Sequence, residues 1–274
     1  MFQIIRHAAI RLWELGYSGD NESNDVPADF WLVCHSKDFG TVKIVIESIH
    51  RYSLNSVRRI FLISNQVCRP VWLCKDCTYI NENEIQGVYS VNKELRGLPY
   101  RGWVLQQVLK YSGASFSDRF VVVDCDTILI RPHLFFQGNK TILRLAYEYS
   151  PHYRHFERSL GINEKKYLSF ICHMMPFRAN ILKELFFHIE NTTGQPWQNY
   201  FASYAKIYGM SVSEYDLYAR FLIQKKYPYC YNPWLNKSVN ISDDIKLSDI
   251  VKEFANTKNS ISAHKNTHEH IVIK

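Results

Sequence analysis

A strand, a helix and a second strand follow one another between residues 29 and 64, and this order constrains the fold more than any other feature of the chain. "DFWLVCHSKD" (29–38) is a short apolar run that ends in polar residues, the pattern of a buried strand. "TVKIVIESIHRYS" follows and reads as a helix, and "VRRIFLIS" (57–64) reads as the second strand. A unit of this kind joins parallel strands through a right-handed crossover. With 274 residues the chain can bury a core of its own without disulfide or metal staples.

Further along, "TYIN" and "GVYS" read as weaker strands. "RGWVLQQVLKYSG" (101–113) has Trp103, Leu105, Val108 and Leu109 at helical spacing and a glycine stop, so it reads as a helix. "FVVVDCDTILIRP" (120–132) follows as a central strand. "TILRLAY" (141–147) and "LSFICHMMPF" (168–177) read as strands, while "RANILKELFFHIE" (178–190), "SEYDLYARFLIQKK" (213–226) and "KLSDIVKEF" read as helices. "NSISAHKN" (259–266) is a short last strand or turn. No repeat, low-complexity tract or linker interrupts the pattern. The expectation is a single α/β domain over residues 29–274 with an elaborated carboxy-terminal part, preceded by an extension over residues 1–28. Within that extension "FQIIRHAAIRLWELG" mixes apolar residues with Arg6 and Arg11. It reads either as an amphipathic helix on a membrane surface or as a helix packed on the protein's own body.

Formal net charge is +7, which favours anionic partners such as nucleotides, phosphates or an anionic membrane face. No basic block or aromatic RNA-binding pattern accompanies it, so nucleic acid is not an expected partner. "CKDC" (Cys74 to Cys77) lacks the second pair that a structural zinc site requires. No signal peptide or membrane-spanning run is legible, and the expected location is cytoplasmic.

The chemistry concentrates in "FVVVDCDTILIRP". Four apolar residues lead to Asp124, and Asp126 follows two positions on. Burying charge is costly unless it is paired or holds a metal. A strand has period two, so both carboxylates point the same way if the strand continues through them. Ligands of open α/β sheets bind outside the carboxyl ends of the strands. Two acids there form a cation site suited to Mg²⁺ or Mn²⁺, which would bridge the protein to phosphate oxygens. The plainer alternative is that Asp126 caps a bend.

"VVVDCDTILIRP" resembles the DxD motif of GT-A-type glycosyltransferases. "HSKD" closing the first strand, "GWVLQQVLK" before the motif, "CHMMPFRANIL" after it and "SEYDLYARFL" later extend the resemblance over roughly residues 29 to 265. As an ordered set they resemble bacterial glycosyltransferases of surface polysaccharide synthesis, such as capsule or lipopolysaccharide. The resemblance implies a GT-A-like (Rossmann-like) mixed sheet flanked by helices. It implies sugar transfer from a nucleotide-sugar donor, UDP-linked, to a hydroxyl of a polysaccharide or lipid-linked oligosaccharide. It also implies roles. Asp126 would bind the divalent metal, and Asp124 would reach the donor's ribose or the metal. His35, Ser36 and Asp38 would face the base and ribose. Trp103 and Gln107 would lie near the donor, and His173 on the donor-sugar or acceptor side. His264 would be a late third metal ligand, with Lys265 on the diphosphate. Because such acceptors are assembled at the inner membrane, peripheral attachment to its cytoplasmic face is the further expectation.

Each residue also has a structural reading. His35 suits a helix start, Trp103 suits core packing, and His264 lies close to the polar tail. Glu214 and Asp216 are the candidates for a base that takes the acceptor's proton. Ser211 with Glu214, or Ser213 with Asp216, equally makes a capping box.

Two rivals bear on the same residues. One is a haloacid-dehalogenase-like phosphatase with Asp124 as nucleophile and Asp243 and Asp244 as a late acidic pair. That motif normally opens its domain, whereas here more than a hundred residues precede it. The other is a non-catalytic nucleotide-sugar-binding module.

Overall fold

The computed structural model describes residues 24–147, 151–163, 168–241 and 245–264. The opening unit is β1 (Asn24–Val33), α1 (Phe39–Tyr52) and β2 (Asn55–Ser64). Next come β3 (Cys77–Asn81), α2 (Val88–Glu94), α3 (Arg101–Tyr111) and β4 (Arg119–Val123). The middle of the chain supplies β5 (Thr127–Leu129), β6 (Phe136–Gln137), β7 (Lys140–Leu145), α4 (Pro151–Ser159) and β8 (Met174–Arg178). The remainder is α5 (Ala179–Thr193), α6 (Trp197–Tyr208), α7 (Glu214–Gln224), β9 (Tyr229–Pro233), β10 (Asn236–Asn240), α8 (Leu247–Phe254) and β11 (Ser260–His264).

The central sheet has the order β3-β2-β1-β4-β8. Its first four strands are parallel and β8 runs antiparallel to β4. This is the mixed sheet flanked by helices that a GT-A-like fold was expected to have. Two three-stranded sheets, β10-β11-β5 and β6-β7-β9, attach beside it.

Strand alternation divides the interior in two. Trp31, Phe61, Phe120, Val122 and Phe177 point to one face, where Val104 and Val108 of α3, Leu185 of α5, Phe201 of α6 and Leu217 of α7 cover them. Phe30, Leu32, Leu62, Val121 and Val123 point to the other, under Val45 and Ile49 of α1 and Ile250 and Phe254 of α8. A sheet buried on both faces needs near-continuous apolar strands, which is why β1 and β4 show no polar alternation.

Three expectations are corrected. "GVYS" is not a strand: Gly87 adopts φ +87°, a left-handed conformation open to glycine, and launches α2. "LSFICHMMPF" is a strand only from Met174 onward, because His173 stands at φ 54° and breaks the extended run. The sheet also begins earlier than residue 29, since Asn24 of β1 already pairs with Asn55. Residues 1–23, which carry the whole of the expected amino-terminal helix, lie outside the described residues. Among the described residues no helix is long and apolar enough to cross a membrane.

Candidate active site

The carboxyl ends of β1 to β4 share one edge of the sheet, and the antiparallel β8 brings its amino-terminal end there too. The register pairs Trp31 with Val122, so the chain leaving β1 at His35 and the chain leaving β4 at Asp124 emerge side by side. This is the edge at which open α/β sheets bind ligands.

β4 ends at Val123, and the two aspartates do not continue it. Thr127 N donates to Asp124 O at 2.8 Å, closing a turn over Asp124, Cys125 and Asp126. The carboxylates are therefore brought together by a turn rather than by strand alternation, so the bend and the cation reading describe the same residues. β11 braces the turn, with Ala263 N donating to Asp126 O at 2.7 Å.

Asp124 is held from three directions. Its backbone N–H donates to His173 O at 2.9 Å. Its Oδ1 accepts from Tyr215 Oη at 2.7 Å and lies 2.7 Å from Lys110 Nζ. Burial by itself would raise its pKa, but the charges of Lys110 and His173 and the bonds from Lys110 and Tyr215 hold it below the usual carboxylate value. The side chain keeps 18% of its surface exposed.

His173 completes the group. Its left-handed backbone, a cost for a residue with a Cβ, turns the ring toward the aspartates. Nδ1 lies 2.8 Å from Ser262 Oγ, and the ring packs against Trp234 at 4.8 Å between centroids. One ligand atom each from Asp124, Asp126 and His173 lie within 4.8 Å of one another, all half-buried. Two carboxylate oxygens and an imidazole nitrogen fit a divalent cation, and the imidazole favours Mn²⁺ over Mg²⁺. His173 was expected on the donor-sugar or acceptor side, and its ring also comes within 4.8 Å of both carboxylates. Ligation through Nε2 requires Nδ1 to carry the proton and donate it to Ser262.

His35, Ser36 and Asp38 form a short turn at the end of β1, on this edge. Ser36 N donates to Asn65 Oδ1 at 3.0 Å, and the His35 ring spans Lys37 N at 3.3 Å and Asn65 Nδ2 at 3.2 Å. His35 thus caps the short turn over Ser36–Asp38, and its ring stays exposed. Asp38 precedes α1 without capping it through its side chain. Trp103 stacks on Tyr153 at 6.1 Å and 11°.

Three expected residues face inward instead. Gln107 is buried, accepting from Glu214 N and donating to Trp103 O, so its amide is occupied by backbone. Glu214 is 3% exposed, with Oε1 accepting from Lys110 Nζ at 2.7 Å. Asp216 is 2% exposed, accepting from Phe170 N at 2.7 Å and pairing with Arg220 at 3.3 Å. Ser213 Oγ accepts from Asp216 N, which is the capping arrangement. A general base must reach the proton it takes, and the geometry speaks against both carboxylates in that role. Asp216 instead fixes the segment that leads to His173.

Lys110 and Tyr215 were missed by sequence reasoning, and both touch Asp124. The backbone of His264 pairs with Asn240 in β11. Lys265, Asp243 and Asp244 lie outside the described residues, as does the side-chain placement of His264.

The fold and site together define a mixed α/β protein with a candidate cation group of two aspartates and a histidine at the carboxyl edge of its sheet. Residues 22–262 match the model of a family of unknown function (DUF6492), and the chain belongs to that family. No curated protein matches the chain. Among solved structures, that of mouse xyloside xylosyltransferase 1 in its apo form is similar at 12% identity, covering 89% of this chain and 100% of that one with a TM-score of 0.49. That likeness is too slight to bear on function.

Proposed function

We propose that this protein is a GT-A-like glycosyltransferase that moves a sugar from a UDP-linked donor to a hydroxyl of a bacterial polysaccharide or lipid-linked oligosaccharide. The observation that carries this reading is the group Asp124, Asp126 and His173 at the sheet's ligand edge, beside the exposed turn at His35 to Asp38.

Asp126, His173 and one oxygen of Asp124 would hold a divalent cation there. When bound, such a cation neutralises charge on the leaving diphosphate. The chain's own residues position that chemistry. Lys110 and Tyr215 fix Asp124, Ser262 orients His173, and β11 holds the turn. His35, Ser36 and Asp38 are assigned to the nucleoside, and Trp103, stacked on Tyr153, to the donor side. The resemblance assigns His264 as a third metal ligand and Lys265 to the diphosphate. The charge of +7 supports peripheral contact with an anionic membrane face where lipid-linked acceptors are assembled.

Thermal unfolding with UDP, with and without Mn²⁺, tests the reading. UDP at one hundred times its dissociation constant should stabilise the protein by about 2.7 kcal/mol. The stabilisation should require Mn²⁺ and vanish in Asp126→Ala. Absence of any UDP or Mn²⁺ effect on the wild type would sink the proposal. Release of UDP from a UDP-sugar separates an enzyme from a binding module, which binds without turnover.

A further inference from the structure

Lys110 lies on the protein side of Asp124, away from the edge a substrate approaches. It is 4% exposed and sits 2.7 Å from Asp124 Oδ1 and 2.7 Å from Glu214 Oε1. Its ammonium stands 4.5 Å over the Tyr215 ring, whose hydroxyl donates to that same Oδ1. Two consequences follow from this geometry. Oδ1 already accepts two strong bonds, so Oδ2 is the oxygen of Asp124 left to face the cation group. A fixed positive charge beside the carboxylate also opposes a dication drawn to it, and in a buried setting such a charge is poorly screened.

We infer that Lys110 is a positioning residue that holds Asp124 as a one-oxygen ligand and keeps the free protein's affinity for a divalent cation low, so that the cation is captured together with a nucleoside diphosphate. The inference rests on the glycosyltransferase reading and adds an order of events to it. The diphosphate brings the negative charge that Lys110 offsets, so each ligand raises the other's affinity by the same factor. Glu214 sets the balance. It draws Lys110 partly away from Asp124, so its carboxylate strengthens the cation group without touching it.

Calorimetric titration of Mn²⁺ into the full chain, with and without UDP, tests this. The proteins are the wild type, Lys110→Met combined with Glu214→Gln, and Glu214→Gln alone. The double substitution removes both charges of the buried pair and strands neither. It should bind Mn²⁺ alone on the order of tenfold more tightly than the wild type. The factor by which UDP improves Mn²⁺ binding should shrink. Glu214→Gln alone should move the other way, weakening Mn²⁺ binding, because Lys110 then serves Asp124 undivided. A folded double variant with wild-type Mn²⁺ affinity and coupling overturns the inference, as does tighter binding by Glu214→Gln. Should the double variant not fold, Glu214→Gln decides alone. A wild type that binds neither Mn²⁺ nor UDP removes the glycosyltransferase reading itself, whereas wild-type coupling that the variants leave unchanged removes only the role of Lys110.

Discussion

Tyr215 Oη donates a 2.7 Å hydrogen bond to Asp124 Oδ1 across 91 residues of chain. The phenol comes from the first turn of α7 and the carboxylate from the end of β4, so a helix start and a strand end are locked at the point where the cation group forms. Tyr215→Phe keeps the ring and deletes the bond. It should cost about 1 kcal/mol of stability. It should also weaken Mn²⁺-dependent UDP binding roughly tenfold, as loss of an outer partner of a metal ligand does. Urea unfolding and titration on the same preparation check both; unchanged UDP binding would show that Asp124 is positioned without the phenol.

Ser262 holds Nδ1 of His173 and so selects the nitrogen that faces the aspartates. Ser262→Ala should lower Mn²⁺ affinity by about tenfold. Replacing the imidazole itself, as His173→Asn, should erase most of the preference for Mn²⁺ over Mg²⁺ in the presence of UDP. A wild type that responds equally to the two ions would place His173 outside the cation group.

Midway along β1, the fully buried Asp29 accepts from both Arg58 and Arg59, with closest contacts of 2.7 and 2.6 Å. Burial would raise its pKa, but the bonds from the two guanidinium groups and Ser117 hold it down to about 2. A carboxylate depressed on folding adds stability above its ordinary value of 3.8, and that stability is lost as pH falls from 3.8 towards about 2. The arginines are nearly half exposed, so solvent reduces the contribution to about 1–2 kcal/mol. Urea titrations between pH 5 and pH 2 should show that loss in the wild type, and Asp29→Asn should lack it.

Gly113 lies where a Cβ would stand 2.5 Å from the ring of Phe120, which is fully buried in β4. Gly113→Ala should therefore destabilise by about 1–3 kcal/mol through overpacking, although alanine is otherwise the better residue near a helix end. Combination with Phe120→Leu should recover part of the loss; a neutral single variant would mean that the ring yields freely.

Much of the framework was legible because it is local. Phe30–Val33 of β1, Ile60–Ile63 of β2 and Phe120–Val123 of β4 are unbroken apolar runs, and α1, α3, α5, α7 and α8 carry their spacing openly. "GVYS" misled because its residue types suit a strand, while the decisive property is the left-handed backbone of Gly87. α6 went unread: Trp197, Phe201, Tyr204 and Tyr208 have helical spacing, but aromatics also suit strands. The aspartate pair was visible as a motif, and His173 as a residue of interest. What joins them was not visible, because Lys110, Tyr215 and Ser262 reach the group only through the fold. One signal did exist. Trp103, Gln107 and Lys110 recur at i, i+4 and i+7, so a lysine shares the face of α3 that carries the expected donor residues, and a charge there calls for a partner. The capping pattern at Ser213 was equally readable, and it was the better guide to Asp216.

The antiparallel placement of β8 has a bearing on biogenesis. The parallel strands and the aspartate turn are complete by about residue 130, yet His173 arrives only with β8, its Ser262 partner only with β11, and the phenol that steadies Asp124 only with α7. A ribosome therefore releases the chain through Ser262 before the three residues stand with all their supports in place. Under the proposed function, ion capture would then report that the distant segments have docked.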